Sequence, residues 1–316
     1  MSHEDTPPSC PASCRASTSY FPNRCNKDVD GRDKPGHDDT HRAVFRNHIR
    51  ILLFSSFLSA LTLATPAFAA RCGGDFNAYI QNISAEAVSK GISQETIAQA
   101  LGGVQQDAGV LAFDRRQRGT FTKTFEQYVS TRVGPGRING GRAMLQRHAA
   151  LLSSIEAKYG VPRQILVAIW GLESDFGKGD MGKLPVFRVL ATMSHDCRRT
   201  ELFQGELLAA LQILQRGDLP LREMIGAYAG EIGQTQFLPS SYIKYGVDFD
   251  GDGRVDLRHS VADVLASTAN LLHTNGFKMG EPYGEGSANF EAMREWNHAV
   301  IYRKTIAYFA DQLLGR

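Results

Sequence analysis

The sequence predicts a mainly α-helical fold with little β structure over residues 70–316. Apolar residues recur three or four positions apart in most segments of this region, which is the spacing of one helix face. Helix-starting residues such as Ser93 and helix-stopping residues such as Gly217 bracket these segments. No alternating run is long enough for a substantial sheet, although Val255 or Leu257 could belong to a short strand pair.

The predicted helices follow one another with short connections. Ser93 is the expected N-cap of the second helix, and Thr200 is the expected cap of the helix that Gly217 ends. A polar stretch at 114–120 precedes the aromatic segment 121–128. The predicted helices cover residues 76–87, 93–101, 140–159, 162–173, a segment ending near 193, 200–216, 262–275 and 299–314.

Glu173 ends the most apolar of these helices. From Ile165 onward the helix is apolar on every side, Pro162 suits its first position, and Gly177 lies just beyond its end. Desolvation and the negative end of the helix dipole both favour the protonated form of a carboxyl placed there. A general acid must carry a proton, so Glu173 is the first candidate for acid catalysis. The alternative is a Glu that caps the helix or pairs with a nearby arginine.

The first sixty-nine residues have a different composition from the rest of the chain. Residues 1–42 are rich in Pro, Ser, Asp, Arg and Cys without apolar periodicity, so we expect them to be disordered and not translated or not retained. Residues 43–69 combine arginines, an apolar stretch and small residues, which is typical of a secretory signal peptide cleaved after Ala69. The apolar stretch at 51–63 is shorter than the roughly 20 residues of a membrane span. Because a signal peptide normally stands at the N-terminus of a protein, we expect translation to begin near Val44.

The cysteines also indicate export. Only Cys72 and Cys197 remain in 70–316, and two cysteines in an oxidising compartment predict one disulfide, with two free thiols as the alternative. Lipid attachment at Cys72 is disfavoured because Arg71 stands where a small residue is required. We expect a periplasmic protein without a lipid anchor. A net charge of +2 gives no reason to expect nucleic acid as a partner.

Three further motifs follow the segment 173–177. An arginine pair occupies 198–199, a Gly- and Gln-containing loop occupies 229–242, and an Asp-rich stretch occupies 248–256. In order and spacing, these four motifs resemble the lytic murein transglycosylase B family. The resemblance implies a lysozyme-like α-helical domain with a small EF-hand-like loop region, which makes 70–316 the catalytic region of an enzyme that cleaves peptidoglycan. We expect a monomer whose partners are glycan strands and other cell-wall enzymes.

The resemblance also implies a mechanism with one carboxylate and no required cofactor. Glu173 would protonate the oxygen between N-acetylmuramic acid and N-acetylglucosamine, and would then accept the proton of the C6 hydroxyl. The product is a 1,6-anhydro ring, and no water is consumed. The residues that match the family's substrate-binding positions are Tyr128, Arg198, Arg199, Gln234, Gln236, Asn297 and Tyr302.

Two alternatives remain open at the level of sequence. A hydrolytic muramidase needs a second carboxylate. Asp175 is expected to be a helix cap or solvated, whereas Glu231 lies in a loop that should face the cleft. A non-catalytic peptidoglycan-binding protein is the other alternative.

Ala227 stands where many relatives have a serine close to the catalytic acid. Alanine has no hydroxyl, so a hydrogen bond that this serine would donate must come from another residue.

The Asp-rich stretch has most of the pattern of a calcium-binding EF-hand loop. Asp248, Asp250 and Asp252 match positions one, three and five, the carbonyl of Arg254 matches position seven, and Asp256 matches position nine. Position twelve, where a bidentate acidic residue is needed, is His259. We therefore expect weak calcium binding or none, the alternative to binding being a metal-free turn of the same shape.

Overall fold

The computed structural model describes residues 70–116 and 124–316. The expectations for 1–42, for the signal peptide at 43–69 and for a start near Val44 lie outside the described residues. Most described residues belong to α-helices, so the predicted fold class is confirmed. The helices are α1 Phe76–Ser89, α2 Gln94–Leu101, α3 Ala108–Arg116, α4 Phe125–Arg132, α5 Pro135–Arg147, α6 Ala149–Tyr159, α7 Arg163–Ser174, α8 Val186–His195, α9 Thr200–Arg216, α10 Pro239–Tyr245, α11 Val261–Thr274, α12 Ala288–Ala292 and α13 Val300–Leu314.

The β structure lies between α7 and α10 rather than in the Asp-rich stretch. Strand β1 (Leu184–Pro185) pairs antiparallel with β2 (Ile225–Gly226), and an isolated bridge joins Ile232 to Phe237. The expected strand pair at Val255 or Leu257 was wrong. Both side chains are buried, but their backbone groups bond to loops and side chains instead of a neighbouring strand.

Helix α7 is the central helix of the core. Helices α5, α6, α11 and α13 pack around it, which is why it has no polar face. Its buried residues are Ile165, Leu166, Val167, Ala168, Ile169, Trp170, Gly171, Leu172 and Ser174. A helix surrounded in this way cannot shift without disturbing several contacts, so it is a rigid support for a residue at its end.

Three predictions about helix limits were wrong. The single helix predicted at 140–159 is two helices, because His148 leaves the helical conformation (φ −106°, ψ 24°). The His148 ring lies edge-on to Trp170 at 5.8 Å. Thr200 is the first residue of α9 and not its cap, since Arg199 holds the N-cap position without a side-chain bond. Pro162, expected to be the first residue of α7, is its N-cap.

Several short helices were not predicted. Helix α4 begins with a capping box in which Thr124 and Gln127 each bond the other's backbone, and Ser287 caps α12. These helices have too few turns for apolar periodicity to be visible, so the capping residues were the available signal. In residues 70–116 and 124–316, no helix has both the length and the apolar character needed to cross a membrane.

Candidate active site

The start of helix α7 is fixed by a carboxylate from the preceding helix. Pro162 is the N-cap and not the first helical residue as predicted, and its ring cannot cap the helix. The Glu156 side chain takes that role, because its Oε1 accepts from the Arg163 backbone N–H at 3.1 Å. Its Oε2 accepts from Arg163 Nε at 2.8 Å. This hydrogen bond and ion pair therefore hold the N-terminal end of α7, and Glu173 lies at the other end of the same helix.

The end of α7 turns sharply through three residues with positive φ. Asp175, Phe176 and Gly177 have φ of 50°, 63° and 76°. Left-handed conformations cost roughly 1–2 kcal/mol for non-glycine residues, so the turn must be held by other contacts. The Gly177 N–H donates to Ser174 Oγ at 2.9 Å, and a Cβ at Gly177 would collide with Gln234 Oε1.

Phe176 is held in a cradle of glycines. Its ring is buried against Gly140 and Gly141 of α5 and Gly171 of α7. A Cβ on Gly171 would lie 2.7 Å from the ring carbons of Phe176 and 2.9 Å from Phe309, distances that real contacts do not reach. Because glycine has no side chain, the Phe176 ring fits between α5 and α7, and this packing stabilises the turn just after Glu173.

The Glu173 carboxyl is half-buried and accepts two hydrogen bonds on one oxygen. Its Oε1 accepts from Tyr302 Oη at 2.5 Å and from Trp296 Nε1 at 3.3 Å. Tyr302 is buried in α13, and the Trp296 ring contacts Phe237 edge-on at 5.4 Å. The end of α7, the start of α13 and the loop near Phe237 thus meet at this carboxyl.

The two predicted glutamines make internal bonds. Gln234 is buried, its Oε1 accepts from Trp170 Nε1 and its Nε2 donates to the Arg258 carbonyl, both at 2.8 Å. Gln236, at φ 55°, donates from Nε2 to the Gly233 carbonyl at 2.7 Å. The Gln234 amide joins the Glu173 helix to Arg258, two residues beyond the Asp-rich stretch. Sugar binding by either glutamine stays a prediction.

The expectation that Glu231 faces a cleft was wrong. The residue is fully buried, and its Oε2 accepts from the Ala229 N–H at 2.9 Å. The backbone around it folds inward, because the Ala227 N–H donates to the Glu231 carbonyl at 3.1 Å. Asp175 is the C-cap of α7, with its half-exposed carboxylate 3.2 Å from Arg137 Nε. Neither carboxylate is presented to a water as a free base.

Arg198 and Arg199 lie together beside the disulfide. Cys72 and Cys197 are bonded, and this link ties the segment before α1 to the loop that carries the arginines. Both guanidinium groups form ion pairs with Asp114 of α3.

The other predicted residues lie on the α13 side of the molecule. Tyr128 is buried in α4, which packs against α13, and Arg132 lies over its ring at 5.5 Å. Asn297 is half-buried, and its Oδ1 accepts from the Ala299 N–H at 2.9 Å just before α13. Their roles in substrate binding stay predictions, whereas the Tyr302 hydroxyl is placed directly on Glu173.

Comparison with known protein families identifies the family of this chain. The sequence pattern of the family described as Transglycosylase SLT domain matches residues 75–287. The chain is a member of the SLT family. The match takes in α7 with Glu173, the arginine pair, the loop of Gln234 and the Asp-rich stretch, and it ends before Trp296 and Tyr302.

Individual relatives agree with the family assignment. The chain is 32% identical over 222 residues to membrane-bound lytic murein transglycosylase B of Escherichia coli K12; the match covers 66% of this chain and 61% of that protein. The crystal structure of SltB3 from Pseudomonas aeruginosa in complex with NAG-NAM-pentapeptide matches with a TM-score of 0.73 and 33% identity. That match covers 77% of this chain and 81% of SltB3 and confirms the predicted lysozyme-like fold.

The Asp-rich stretch brings three carboxylates together. Asp248, Asp250 and Asp252 each place an oxygen within 4.8 Å of the others. The lytic transglycosylase Slt35 of Escherichia coli, solved in complex with calcium, has the same fold at 24% identity and a TM-score of 0.67, and the match covers 78% of this chain and 96% of Slt35. Here the fit to calcium is poor, because His259 Nε2 lies 2.8 Å from Glu223 Oε2 and supplies no carboxylate.

Protein groups hold this stretch in the absence of the twelfth ligand. Buried Asp263 accepts from the N–H groups of Phe249 and Asp256, both at 2.8 Å. Desolvation raises the pKa of Asp263. Arg254 bonds the Asp252 carboxylate at 3.0 Å and so lowers its pKa. Asp256 accepts from the N–H groups of Arg258 and His259 at 2.9 Å and is not part of the three-carboxylate cluster.

Sequence reasoning missed two residues of the site. Trp296 donates to Glu173, and Asp114 binds both arginines. A signal existed for Trp296, because the chain has two tryptophans and this one precedes a predicted site residue. Asp114 gave no signal, since it lies in a polar stretch 84 residues before Arg198.

Proposed function

We propose that this protein is a peptidoglycan lytic transglycosylase in which Glu173 acts first as general acid and then as general base. The bond cleaved joins N-acetylmuramic acid to N-acetylglucosamine, and the product ends in a 1,6-anhydro ring. Membership of the SLT family and the similarity to lytic transglycosylases support the reaction class. The observation that carries the residue assignment is the Glu173 carboxyl at the end of α7, bonded by Tyr302 and Trp296.

The two hydrogen bonds to Oε1 favour different roles for the two oxygens of the Glu173 carboxyl. Because Tyr302 and Trp296 both donate to Oε1, that oxygen is held as an acceptor and the transferable proton belongs on Oε2. Oε2 gives this proton to the departing sugar oxygen. The carboxylate formed is stabilised by the two donors until it takes the proton of the C6 hydroxyl. The other residues proposed to bind the substrate remain Tyr128, Arg198, Arg199, Gln234, Gln236 and Asn297.

A hydrolytic muramidase is less well supported. Its second carboxylate would have to activate water, but Glu231 is fully buried and Asp175 is bound to Arg137. A purely binding protein gives no reason for a carboxyl with two aromatic donors on one oxygen.

Mass analysis of products tests the reaction. Residues 70–316 would be incubated with purified peptidoglycan sacculi, beside a Glu173→Gln variant. We expect fragments lighter by one water than hydrolytic fragments, absent from the variant. Products with ordinary reducing ends would replace this proposal with the muramidase, and no products from the unaltered protein would favour the binding protein.

Tyr302→Phe is expected to lower kcat by about ten- to a hundredfold, with little change in the melting temperature. The substitution removes a single bond to a charged acceptor, which is worth about 1.5–3 kcal/mol. Steady-state cleavage of glycan strands gives kcat. The control is Tyr308→Phe, which removes a phenol oxygen from a different face of the same helix. Equal effects of the two substitutions would contradict a special role for Tyr302.

Catalysis in this proposal uses no cofactor, and calcium binds weakly or not at all. One millimolar calcium is expected to raise the free energy of unfolding by less than about 0.5 kcal/mol, because binding at millimolar Kd stabilises little. Thermal unfolding with calcium and with a chelator measures this. His259→Glu supplies the missing ligand and should produce a clear calcium-dependent increase. A large increase for the unaltered chain would contradict the proposal.

Location and partners follow from the same reaction. The proposed place is the periplasm, where the glycan strands lie, and the Cys72–Cys197 disulfide agrees with an oxidising compartment. The proposed protein is a monomer without a lipid anchor that acts on peptidoglycan beside other cell-wall enzymes.

A further inference from the structure

A turn between helices α12 and α13 presents Trp296 to the Glu173 carboxyl. The backbone N–H groups of Trp296 and Asn297 both donate to the Met293 carbonyl at 3.1 Å, and Met293 is fully buried. The Trp296 indole N–H reaches Glu173 Oε1 at 3.3 Å, which is beyond the usual range of about 2.7–3.2 Å for an N–H···O bond. Because this bond is already long, a small displacement of the turn would break it.

One side-chain contact spans this turn. Arg294 Nε donates to His298 Nδ1 at 3.4 Å, and Trp296 lies midway between the two residues in the sequence. An arginine side chain has donors only and stays protonated, so His298 is the acceptor in this pair. Nδ1 therefore carries no proton, and the ring is neutral with its proton on Nε2. The contact exists only while His298 is uncharged.

A second arginine, held in place by the protein, also acts on His298. Arg303 of α13 is 4% exposed, its Nη1 donates to the Phe290 carbonyl at 2.9 Å, and its guanidinium lies over the Phe290 ring at 4.4 Å. Glu291 Oε1 lies 3.2 Å from the same nitrogen. These contacts fix the Arg303 cation, whereas Arg294 is exposed at the surface.

The surroundings of His298 disfavour its protonated form. Desolvation lowers the pKa of His298, Arg294 and Arg303 lower it further, and Glu295 opposes them. The ring is therefore neutral at neutral pH and becomes a cation only in acid. Once Nδ1 is protonated, it repels Arg294 instead of accepting from it. Arg294 can move into solvent but the buried Arg303 cannot, so the charged ring moves away from α13 and displaces the turn.

We infer that His298 is a positioning residue that, in its neutral form, keeps the Trp296 indole on Glu173 through its bond with Arg294. This inference rests on the proposed function and adds a group that limits catalysis in acid. The effect of His298 has the opposite sign to that of Glu173. Glu173 must begin the reaction protonated, so its titration lowers activity as pH rises, whereas protonation of His298 lowers activity as pH falls.

The pH dependence of kcat tests this inference. In the unaltered chain, kcat for glycan-strand cleavage is expected to fall about five- to tenfold below about pH 6.5, the ordinary pKa of histidine, as the Trp296 bond is lost. His298→Gln offers an amide oxygen to Arg294 and does not titrate, so this variant should not show the fall in acid. His298→Lys is charged at neutral pH as well, and its kcat there should be as low as that of the unaltered chain in acid.

His273→Gln is the matched control, because it removes an exposed histidine from α11. Its pH profile should coincide with that of the unaltered chain. Melting temperatures of all variants at neutral pH report any general loss of structure. The inference would be overturned by a fall of the same size in His298→Gln, by no fall in an active unaltered chain, or by full activity of His298→Lys at neutral pH.

Tryptophan fluorescence separates this inference from the proposed function. The chain has two tryptophans, and the emission of Trp296 is obtained by difference from a Trp296→Phe variant. The pH titration is made in the Glu173→Gln background, so that ionisation of Glu173 does not contribute. A transition in the histidine range that His298→Gln abolishes supports the inference even if the unaltered chain cleaves no glycan strand, an outcome that refutes only the proposed function. No transition, or one that persists in His298→Gln, contradicts the inference.

Discussion

Glu173→Gln is expected to lower kcat for glycan-strand cleavage by about a thousandfold, within the range for loss of a general acid. The amide has nearly the shape of the carboxyl, and its oxygen can still accept from Tyr302 and Trp296. The proton needed by the departing oxygen is absent, because an amide does not donate as an acid. KM and the melting temperature are expected to change little, since the lost contribution belongs to the chemical step.

Asp175→Asn is the matched control for this prediction. It changes the same functional group two residues away, where the carboxylate is half-exposed and bound to Arg137. Activity of this variant is expected to remain within about threefold of the unaltered chain, as for a surface ion pair worth at most about 1 kcal/mol. A severe loss in Asp175→Asn with a mild loss in Glu173→Gln would reverse the two assignments.

Removal of the disulfide is expected to lower the free energy of unfolding by roughly 4 kcal/mol, because the bond closes a very long loop in the unfolded chain. Cys72 and Cys197 are 125 residues apart. The segment before α1 has few other attachments, among them the Gly73 N–H to the His195 carbonyl at 3.0 Å and Gln204 Nε2 to the Ala70 carbonyl at 2.5 Å. Chemical denaturation of a variant with serine at both positions measures the loss.

Reduction provides an internal check on the disulfide prediction. The unaltered chain treated with a thiol reductant should approach the stability of the double-serine variant, and the reductant should not affect the variant itself. If the variant and the oxidised chain unfold at the same denaturant concentration, the bond contributes nothing to stability, and the prediction is wrong.

The sequence predicted the parts of the fold that depend on local pattern. Helix α7 follows from its apolar run between Pro162 and Gly177, and the observed limits differ by one residue at each end. The break at His148 was not predicted, because no Gly or Pro marks it in the sequence, and the contact of its ring with Trp170, 22 residues away, is visible only in the fold. Capping boxes could have indicated α4, but its apolar pattern is too short to identify alone.

The sequence identified residues of the candidate site but did not predict their contacts or their burial. Glu173 and Tyr302 were both predicted as site residues, but their mutual bond joins positions 129 residues apart. Burial was the main quantity that the sequence did not provide. A polar loop containing Glu231 and Gln234 is expected to face solvent or substrate, yet both side chains are buried with internal partners.

Gln234 links helix α7 to Leu257 and Arg258, the two residues that directly follow the Asp-rich stretch. It is bonded to Trp170 on one side and to the Arg258 carbonyl on the other, and its own N–H donates to the Leu257 carbonyl at 2.8 Å. Local opening at Leu257 and Arg258 would leave two N–H groups of buried Gln234, one of its backbone and one of its side chain, without acceptors. Amide hydrogen exchange in the stretch should therefore be governed by the stability of the central helix, despite the exposure of its aspartates.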